Sequence, residues 1–362
     1  MSKLTGFDFY KDDKLSAFAA QKNAYWISFA PVVFQVSRVL LQTGILEMID
    51  TAGKKGISFD EVVASSSIGE YQVRVLLHAG LGIGLVNYRD DKYFLAKTGY
   101  FLLHDQTVRI NLDFTHDVCY QGLFDLDKSI ANEKPEGLKV FGNWPTIYEA
   151  LAQLPPQVQK SWFALDHRYS DEAFPAAITI LLKEVKPKRI LDIGGNTGRF
   201  CRKILETSKD INVTIVDLPG QLNMAMKALK EMDVHNQVDF YQANMLDPNT
   251  ELPKGFDTIW MSQFLDCFSE AEIVAILKKC ATAAGKDGKI CIQEGFWDMQ
   301  KNETAAFALQ QFSIYFTAMA NGNSQMYDYV TFKKCIDKAG LIVESEHHNI
   351  SISNSLLVCR LA

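Results

Sequence analysis

The sequence predicts an α/β protein in which a mainly helical N-terminal part precedes a parallel β-sheet. After residue 188, short apolar and β-branched runs recur in the order RILDIGG, NVTIVDL, VDFYQAN, FDTIWMS and GKICIQE. Helical segments such as residues 200–207 and 271–284 lie between them, and this alternation is typical of a parallel sheet with helices on both faces. The runs GLIVESEHH and SLLVCRLA close the chain. The turn between these two is too short for a crossover, so we expect an antiparallel pair.

The composition is that of an ordinary globular protein. Hydrophobic residues make up 48% and charged residues 22% of the 362, a length that usually forms two domains. The net charge of −6 and the lack of a basic run argue against nucleic acid as a partner. Seven scattered cysteines without C-x-x-C spacing predict reduced thiols and no metal site. The N-terminus lacks a signal-peptide core, and the apolar stretch 25–36 is too short to span a bilayer. We therefore expect a soluble, cytoplasmic protein that does not enter membranes.

Helices are predicted for most of the first hundred residues. Apolar residues at helical spacing predict a helix over 25–46, which Gly44 interrupts. Ser58 and Glu61 have the spacing of a capping box at the start of a short helix. Residues 70–81 then suit a packed helix.

A small hairpin follows these helices. Two β-type runs, 85–88 and 93–95, flank a polar turn, and helices followed by such a hairpin outline a winged helix. A winged helix raises the alternative of DNA binding. The supposed recognition helix offers only Arg74 and His78 as basic contacts, whereas phosphate binding needs several basic side chains on one face. The pattern therefore favours a packing or dimerisation module.

The middle of the chain, residues 107–186, is predicted to be mostly helical. Prolines and glycines interrupt it between residues 133 and 145. The pair Pro155-Pro156 is predicted to begin a new helix that runs through Trp162.

The strongest chemical signal is the segment ILDIGGNTG, residues 190–198, a strand that ends in glycines before a helix. Such glycines let a ligand approach the backbone closely and leave N–H groups exposed at the helix N-terminus. The dinucleotide pattern G-x-G-x-x-G fails here because Asn196 and Arg199 stand where small residues are needed, which disfavours a nicotinamide oxidoreductase. Asp192 at the strand end instead suits a ligand with an ammonium or sulfonium group.

Polar residues also end the next three predicted strands. Asp217 follows the second, where an acid can accept hydrogen bonds from ribose hydroxyls. Asn244 and Met245 follow the third, placed to contact an adenine edge and face, and Ser262 ends the fourth. Four polar strand ends at one edge of a parallel sheet predict a nucleoside crevice.

With these motifs the sequence resembles the S-adenosylmethionine-dependent small-molecule O-methyltransferases related to the caffeic acid and hydroxyindole enzymes. The resemblance covers nearly the whole chain and includes WPTIYEALAQLPPQVQKSWF, LDIGGNTG, VDLPG, ANMLD and FSEAEIVAILKKC. It implies a Rossmann-like seven-stranded sheet and a homodimer. It also implies a winged-helix dimerisation domain over 1–105, a helical region over 106–170 that contributes to the acceptor pocket, and a catalytic domain over 171–362.

The resemblance further implies S-adenosyl-L-methionine as the cofactor and assigns its site residue by residue. Glycines and acids of the first two strand ends would hold the methionine part and the ribose, the third would hold the adenine, and an aromatic side chain would stack on the adenine. The residues so implied are Ser170, Asp192, Gly194, Gly195, Gly198, Asp217, Leu218, Asn244, Met245, Ser262 and Phe268.

The sequence departs from the family at the general base. Asp266 stands where the family has a His, and an ordinary Asp, with a pKa near ~4, is a weak base for a phenol of pKa near ~10. Glu294 matches one of the acids that orient the family's base, but the second would align near Tyr329, where no carboxylate occurs. His167, three residues before Ser170, is the alternative candidate for the acceptor site.

Aromatic residues after position 303 predict the acceptor wall. Phe312, Tyr315 or Phe316, and Met319 share a helical face, and Trp297 is a further candidate; core packing is the competing explanation. The leading hypothesis is a methyltransferase that acts on a hydroxyl of a small, aromatic acceptor. The missing His keeps open N- or C-methylation or another reaction in the same fold. A winged-helix regulator is the non-enzymatic alternative.

Overall fold

The computed structural model describes residues 6–230 and 236–362. They divide into two compact units, one formed by residues 12–113 and the other by residues 6–11 together with 114–362. The first five residues of the charged N-terminal segment lie outside the described ranges.

The unit boundary at residue 113 lies beyond the predicted domain boundary at 105. Most of the predicted middle region, residues 106–170, belongs to the same compact unit as the C-terminal sheet.

The first unit consists of helices and one small antiparallel sheet with strand order β1-β3-β2. The strands are β1 (Ile57–Ser58), β2 (Val86–Arg89) and β3 (Lys92–Leu95). The helices are α1 (Ala17–Ser28), α2 (Ala30–Gln42), α3 (Ile45–Ala52), α4 (Phe59–Ser65), α5 (Glu70–Ile83), α6 (Lys97–His104) and α7 (Gln106–Phe114).

Most local predictions for this unit are confirmed. The capping box is present, since Ser58 Oγ accepts the N–H of Glu61 and the Glu61 carboxylate accepts the N–H of Ser58. The hairpin and the break at Gly44 also appear. The predicted continuous helix is wrong in one respect, because the helix breaks at Phe29. Pro31 lies in the first turn of α2, where the nitrogen of a residue needs no intrahelical partner.

No single helix in the described ranges is long and apolar enough to cross a membrane. Helices α1 and α2 reach the required length and composition only as a pair, with a bend of 71° between them.

The second unit is built on a seven-stranded sheet of order β6-β5-β4-β7-β8-β10-β9. Strands β4 to β8 are parallel, and β10 pairs antiparallel with both β8 and β9, which confirms the α/β prediction and the antiparallel end. The strands are β4 (Arg189–Ile193), β5 (Asn212–Asp217), β6 (Val238–Gln242), β7 (Thr258–Ser262), β8 (Lys289–Gly295), β9 (Leu341–His347) and β10 (Asn354–Leu361).

Helices cover both faces of this sheet. Along β7, Ile259 and Met261 pack in one apolar cluster while Trp260 packs in the other, as expected for a strand buried on both sides. The helices of the unit are α8 (Leu126–Asn132), α9 (Ile147–Ala150), α10 (Pro156–Ser170), α11 (Phe174–Ile180), α12 (Arg199–Thr207), α13 (Pro219–Leu229), α14 (Glu270–Ala284), α15 (Glu303–Tyr315) and α16 (Tyr329–Lys338).

The strand register brings the predicted polar ends to one edge. Ile193 at the end of β4 is in register with Val216 of β5 and with Met261 of β7, and Asp217 is in register with Gln242 of β6. The four segments that follow these strands therefore leave the sheet side by side, which is the usual position of a ligand in an open parallel sheet.

Candidate functional site

A cavity of about 810 Å³ opens at this edge of the sheet, within the second unit. Its walls come from the segments after β4, β5, β6 and β7 and from helices α10 and α15. Of the predicted site residues, the structure brings to this cavity His167, Ser170, Asp192, Gly194, Gly195, Asp217, Leu218, Asn244, Met245, Ser262, Asp266 and Phe268.

The glycine loop after β4 lies against Asp192. Gly194 has a φ of +72°, and a Cβ on it would meet the Phe264 ring at 2.2 Å, so the position requires glycine. A Cβ on Gly195 would lie 2.9 Å from Asp192 Oδ2. That oxygen is buried and has no hydrogen-bond partner among the described residues. Burial, together with the nearby Asp217, raises the pKa of Asp192 to about 8.

Asn196 connects the glycine loop with two acids. Its backbone N–H donates to Asp217 Oδ2 at 2.8 Å, and its side-chain Nδ2 donates to Asp166 Oδ2 at 3.0 Å. Asp217 Oδ1 accepts the N–H of Leu218 at 2.7 Å. Burial raises the pKa of Asp217 to about 6, although these two N–H groups oppose the shift. The network ties helix α10 to the carboxyl ends of β4 and β5.

The segments after β6 and β7 form a third wall of the cavity. Asn244 Oδ1 accepts the N–H of Leu246 at 3.0 Å, which fixes the turn after β6. Met245 is buried. The Phe268 ring meets the Phe264 ring edge to face at 4.9 Å between centroids. In this wall the polar side chain of Asn244 thus lies among apolar ones.

Two predicted site residues, Gly198 and Glu294, do not line the cavity. Gly198 precedes α12 with a φ of +77°, and a Cβ there would lie 2.9 Å from Leu229 Cδ1, so this glycine serves the backbone turn and helix packing. Glu294 ends in the buried interior, where its Oε1 accepts the N–H groups of Phe264 at 3.1 Å and Leu265 at 2.8 Å. The Glu294 side chain therefore holds the turn after β7 through the backbone N–H groups of that turn, and not through one of its side chains.

That turn carries Asp266, which is only 6% exposed and faces the cavity. The Cys267 thiol donates to its Oδ1 at 3.4 Å. Burial raises the pKa of Asp266, and burial with the nearby Asp266 charge raises that of Glu294 well above its usual range. A carboxylate with a raised pKa is a stronger base than an ordinary aspartate.

His167 also lies in the cavity wall. Its ring stacks on Phe163 with centroids 5.8 Å apart, and its Nε2 is buried without a partner among the described residues. Burial and the charge of Arg199 lower the pKa of His167 to about 4, so the imidazole is neutral at physiological pH.

The predicted aromatic wall is present in part. Phe312, Tyr315 and Phe316 of the segment around α15 line the cavity, whereas Met319 is fully buried in the neighbouring apolar core. The expectation for Trp297 is wrong: it lies outside the cavity lining, and its ring meets that of Phe7 at 4.6 Å between centroids.

Comparison with known proteins identifies the family of the chain. A family model described as an O-methyltransferase domain matches residues 124–341, and one described as a Dimerisation2-like domain matches residues 21–93. The chain belongs to the O-methyltransferase family. It is an S-adenosylmethionine-dependent methyltransferase, as the glycine loop and the polar strand ends predict.

Several characterised methyltransferases are similar over most of the chain. An L-tyrosine C(3)-methyltransferase of Streptomyces lavendulae is 22% identical over 88% of this chain and 86% of its own. The cephaeline 6'-O-methyltransferase IpeOMT1 of Carapichea ipecacuanha is 30% identical over 74% of this chain and 75% of its own. Among solved structures, the O-methyltransferase NcsB1 from neocarzinostatin biosynthesis, in complex with S-adenosylmethionine and 2-hydroxy-5-methyl naphthoic acid, has a TM-score of 0.64 and 18% identity, covering 91% and 96% of the two chains.

The residues of this methyltransferase fit the cofactor that its family uses. Asp192 Oδ2 is a buried acceptor without a partner in the described part of the chain, and a cationic ligand would supply one. The absence of a side chain at Gly195 leaves the space beside that oxygen open. In the described ranges no group of three or more histidine, cysteine or acidic side chains could hold a metal ion.

The side chains of the methyltransferase cavity that the sequence patterns did not indicate include Tyr148, Asp166 and Phe264. Asp166 precedes the singled-out His167, but nothing in its position along the chain indicates the hydrogen bond with Asn196. Tyr148 lies in the short helix α9, whose placement depends on a hydrogen bond from Gln221 Nε2 to the Tyr148 carbonyl at 3.2 Å. Phe264 carried a weak signal, since it lies two residues after the end of β7.

Proposed function

We propose that this enzyme transfers a methyl group to a hydroxyl of a small aromatic molecule. The observation that carries the proposal is the presence, in one cavity, of the glycine loop with Asp192, the buried Asp266 carboxylate and an aromatic wall. A flat acceptor between aromatic side chains gains contact area and a fixed orientation.

The cofactor-binding half of the cavity uses the strand ends. Asp192, Gly194 and Gly195, with Ser170, would hold the methionine part of S-adenosylmethionine. Asp217 and Leu218 would hold the ribose, Asn244 and Met245 the adenine, and Ser262 and Phe268 would complete the wall. When bound, the cofactor supplies a methyl group on a positively charged sulfur, which is a good leaving group.

The remaining task of the protein is to position the acceptor and take its proton. We assign the proton to the Asp266 carboxylate, because its raised pKa brings it closer to that of a phenol. Glu294 acts as a positioning residue, since it holds the backbone of the turn that carries Asp266. His167 is the alternative proton acceptor, since its ring is neutral and its Nε2 has no partner among the residues that the structure describes.

C-methylation of an aromatic ring is the second candidate reaction. Two observations favour it: Asp266 replaces the family's histidine, and the relative from Streptomyces lavendulae is described as an L-tyrosine C(3)-methyltransferase. Removal of a phenol proton would activate the neighbouring ring carbon as well as the oxygen. After C-methylation the ring carbon would lose its own proton and the phenol oxygen would regain one, so one base serves either outcome.

We further propose that the first unit is a winged-helix dimerisation domain and that the enzyme is a cytoplasmic homodimer. Helices α1 and α2 expose large apolar side chains, among them Phe18 at 78% and Ile27 at 69%. Exposed apolar surface of this kind marks an interaction site. Arg74 of the first unit gives little support for DNA binding. Its guanidinium pairs with Glu70 and stacks over the Phe59 ring at 4.2 Å.

The test of the function is a methyl-transfer assay with product identification. Purified enzyme is incubated with S-adenosylmethionine and a panel of phenols, and S-adenosylhomocysteine release is followed. Nuclear magnetic resonance of the product then distinguishes an O-methyl from a ring C-methyl group. Failure of S-adenosylhomocysteine to bind at millimolar concentration in isothermal titration would overturn both reactions.

A further inference from the structure

The charge that the cavity lining can carry is mostly negative. The carboxylates of Asp166, Asp192, Asp217 and Asp266 line it. Arg199 is the only arginine or lysine among the lining residues that the structure describes, and its guanidinium pairs with Asp171.

S-adenosylmethionine compensates only part of this charge. Its sulfonium, ammonium and carboxylate groups add to one net positive charge, and the cofactor site proposed above already contains Asp192 and Asp217. Asp166 and Asp266 have no ion-pair partner within the described ranges. Burial, Asp171 and Asp266 raise the pKa of Asp166 to about 7. Asp166 lies close enough to Asp266 to feel its charge, so a cation bound near the turn that carries Asp266 would compensate both acids.

Aromatic side chains surround the same region. The Trp162 Nε1–H donates to Tyr315 Oη at 2.7 Å, which fixes both rings in the cavity wall. The Tyr148 hydroxyl is buried beside the Cys267 thiol and has no oxygen or nitrogen partner among the described residues. Tyr148 and Tyr315 both lie close enough to Asp266 to feel its charge. Ring faces beside a carboxylate attract cations.

We propose that the acceptor is a phenol that carries a protonated nitrogen, with the Asp166 carboxylate as its counter-charge and the rings of Tyr148 and Tyr315 as its walls. The proposal rests on the proposed function and names its substrate class. A carboxylate-bearing acceptor would meet Asp166 and Asp266, and among the described lining residues the one arginine, Arg199, already pairs with Asp171. The cavity therefore selects against acceptors such as the naphthoic acid bound by NcsB1.

Three probes of similar shape and different charge test the selection: tyramine, 4-ethylphenol and 3-(4-hydroxyphenyl)propionate. Their dissociation constants are measured by isothermal titration against the full-length enzyme saturated with S-adenosylhomocysteine. We expect tyramine to bind at least tenfold more tightly than 4-ethylphenol, and the propionate to bind most weakly. Equal or inverted affinities, or no binding of any probe, would overturn the proposal while leaving the function intact, because cofactor binding is measured separately.

The Asp166→Asn variant tests the assigned counter-charge. It keeps the oxygen that accepts from Asn196 and removes the negative charge, so we expect the tyramine preference to vanish with 4-ethylphenol unaffected. Glu149→Gln is the matched control, because Glu149 is a lining carboxylate that is exposed, and the preference should persist there. If Asp166→Asn instead weakens S-adenosylhomocysteine and leaves tyramine unchanged, Asp166 serves the cofactor and the proposal fails. Thermal unfolding checks that each variant is folded. The order of the three probe affinities in the wild-type enzyme tests the proposal without any variant.

Discussion

Glu294 Oε1 accepts the backbone N–H of Leu265 at 2.8 Å, one residue before Asp266. A fully buried acid at the end of β8 thus fixes the turn that follows β7, and with it the carboxylate that we assign to proton transfer. The family resemblance predicts an acid at this position that orients the base by its side chain. In this chain the acid holds the backbone of the turn instead. A substitution of Glu294 that keeps a hydrogen-bond acceptor and one that removes it should therefore differ in stability.

Glu294→Ala should destabilise the protein by roughly 2–4 kcal/mol, because it leaves two buried N–H groups, those of Phe264 and Leu265, without an acceptor. Glu294→Gln keeps an oxygen acceptor and should remain within about 1 kcal/mol of the wild type. Urea unfolding of both variants measures the difference. Equal stabilities for the alanine and glutamine variants would contradict the positioning role.

Asp266→Asn should lower kcat by about 10²–10⁴-fold, because it removes the proton acceptor but keeps the shape of the side chain. Binding of S-adenosylhomocysteine should stay within about twofold of the wild type. Asp266→His restores a base and should recover part of the O-methylation. A kcat unchanged in the asparagine variant would transfer the role to His167, whose substitution by glutamine is the parallel measurement.

How much of this site follows from sequence depends on the kind of signal. The glycine loop and Asp217 were predictable because strand ends in a parallel sheet meet at one edge, whatever the rest of the chain does. Gly198 looked like the other glycines of the loop, yet its φ of +77° and its contact with Leu229 serve packing. Tyr148 was not predictable, because a short helix without a periodic pattern is placed by tertiary contacts alone.

The fold shows the same division. Strands β4 to β8 were predictable from apolar runs, since burial on both faces leaves a continuous signature. The break at Phe29 was missed although Pro31 indicated it, because the apolar periodicity continues across the bend. Helix α16 was not predicted, and its start depends on Asp328, whose Oδ1 accepts the N–H of Thr331 at 2.8 Å.

The ligand-free enzyme should lose stability as the pH rises from about 5 to 8. Asp192 has a pKa raised from 3.8 to about 8 in the folded state, so over this range the folded protein keeps a proton that the unfolded chain has released. The free energy of unfolding therefore falls with rising pH, by up to about 1.4 kcal/mol per pH unit for one proton. The stabilising contribution is complete below pH 3.8 and is lost as the pH passes about 8.

Asp192→Asn should reduce this pH dependence, because the amide cannot ionise and stays neutral in both states. Part of the dependence should remain, since the pKa values of Asp166 and Glu294 are raised as well. Urea unfolding at pH 6 and pH 8 provides the comparison, with the exposed Asp210→Asn as control. The Asp192→Asn variant should also bind S-adenosylhomocysteine more weakly. A pH dependence identical to that of the wild type would show that Asp192 is ionised in the ligand-free protein.

Gly195→Ala should weaken S-adenosylhomocysteine binding by at least tenfold, because the new Cβ would lie 2.9 Å from Asp192 Oδ2 and 2.8 Å from Ile215 Cγ2. Of these neighbours, the Asp192 carboxylate is the one free to turn, and turning it removes the acceptor that we assign to the methionine part. Isothermal titration measures the affinity. Gly82→Ala in helix α5 is the matched control, since a Cβ there would meet no atom within 4 Å beyond its own helix backbone and the change should slightly stabilise that helix. Wild-type affinity in Gly195→Ala would mean that the cofactor does not approach this loop, and the assignment of Asp192 would fall with it.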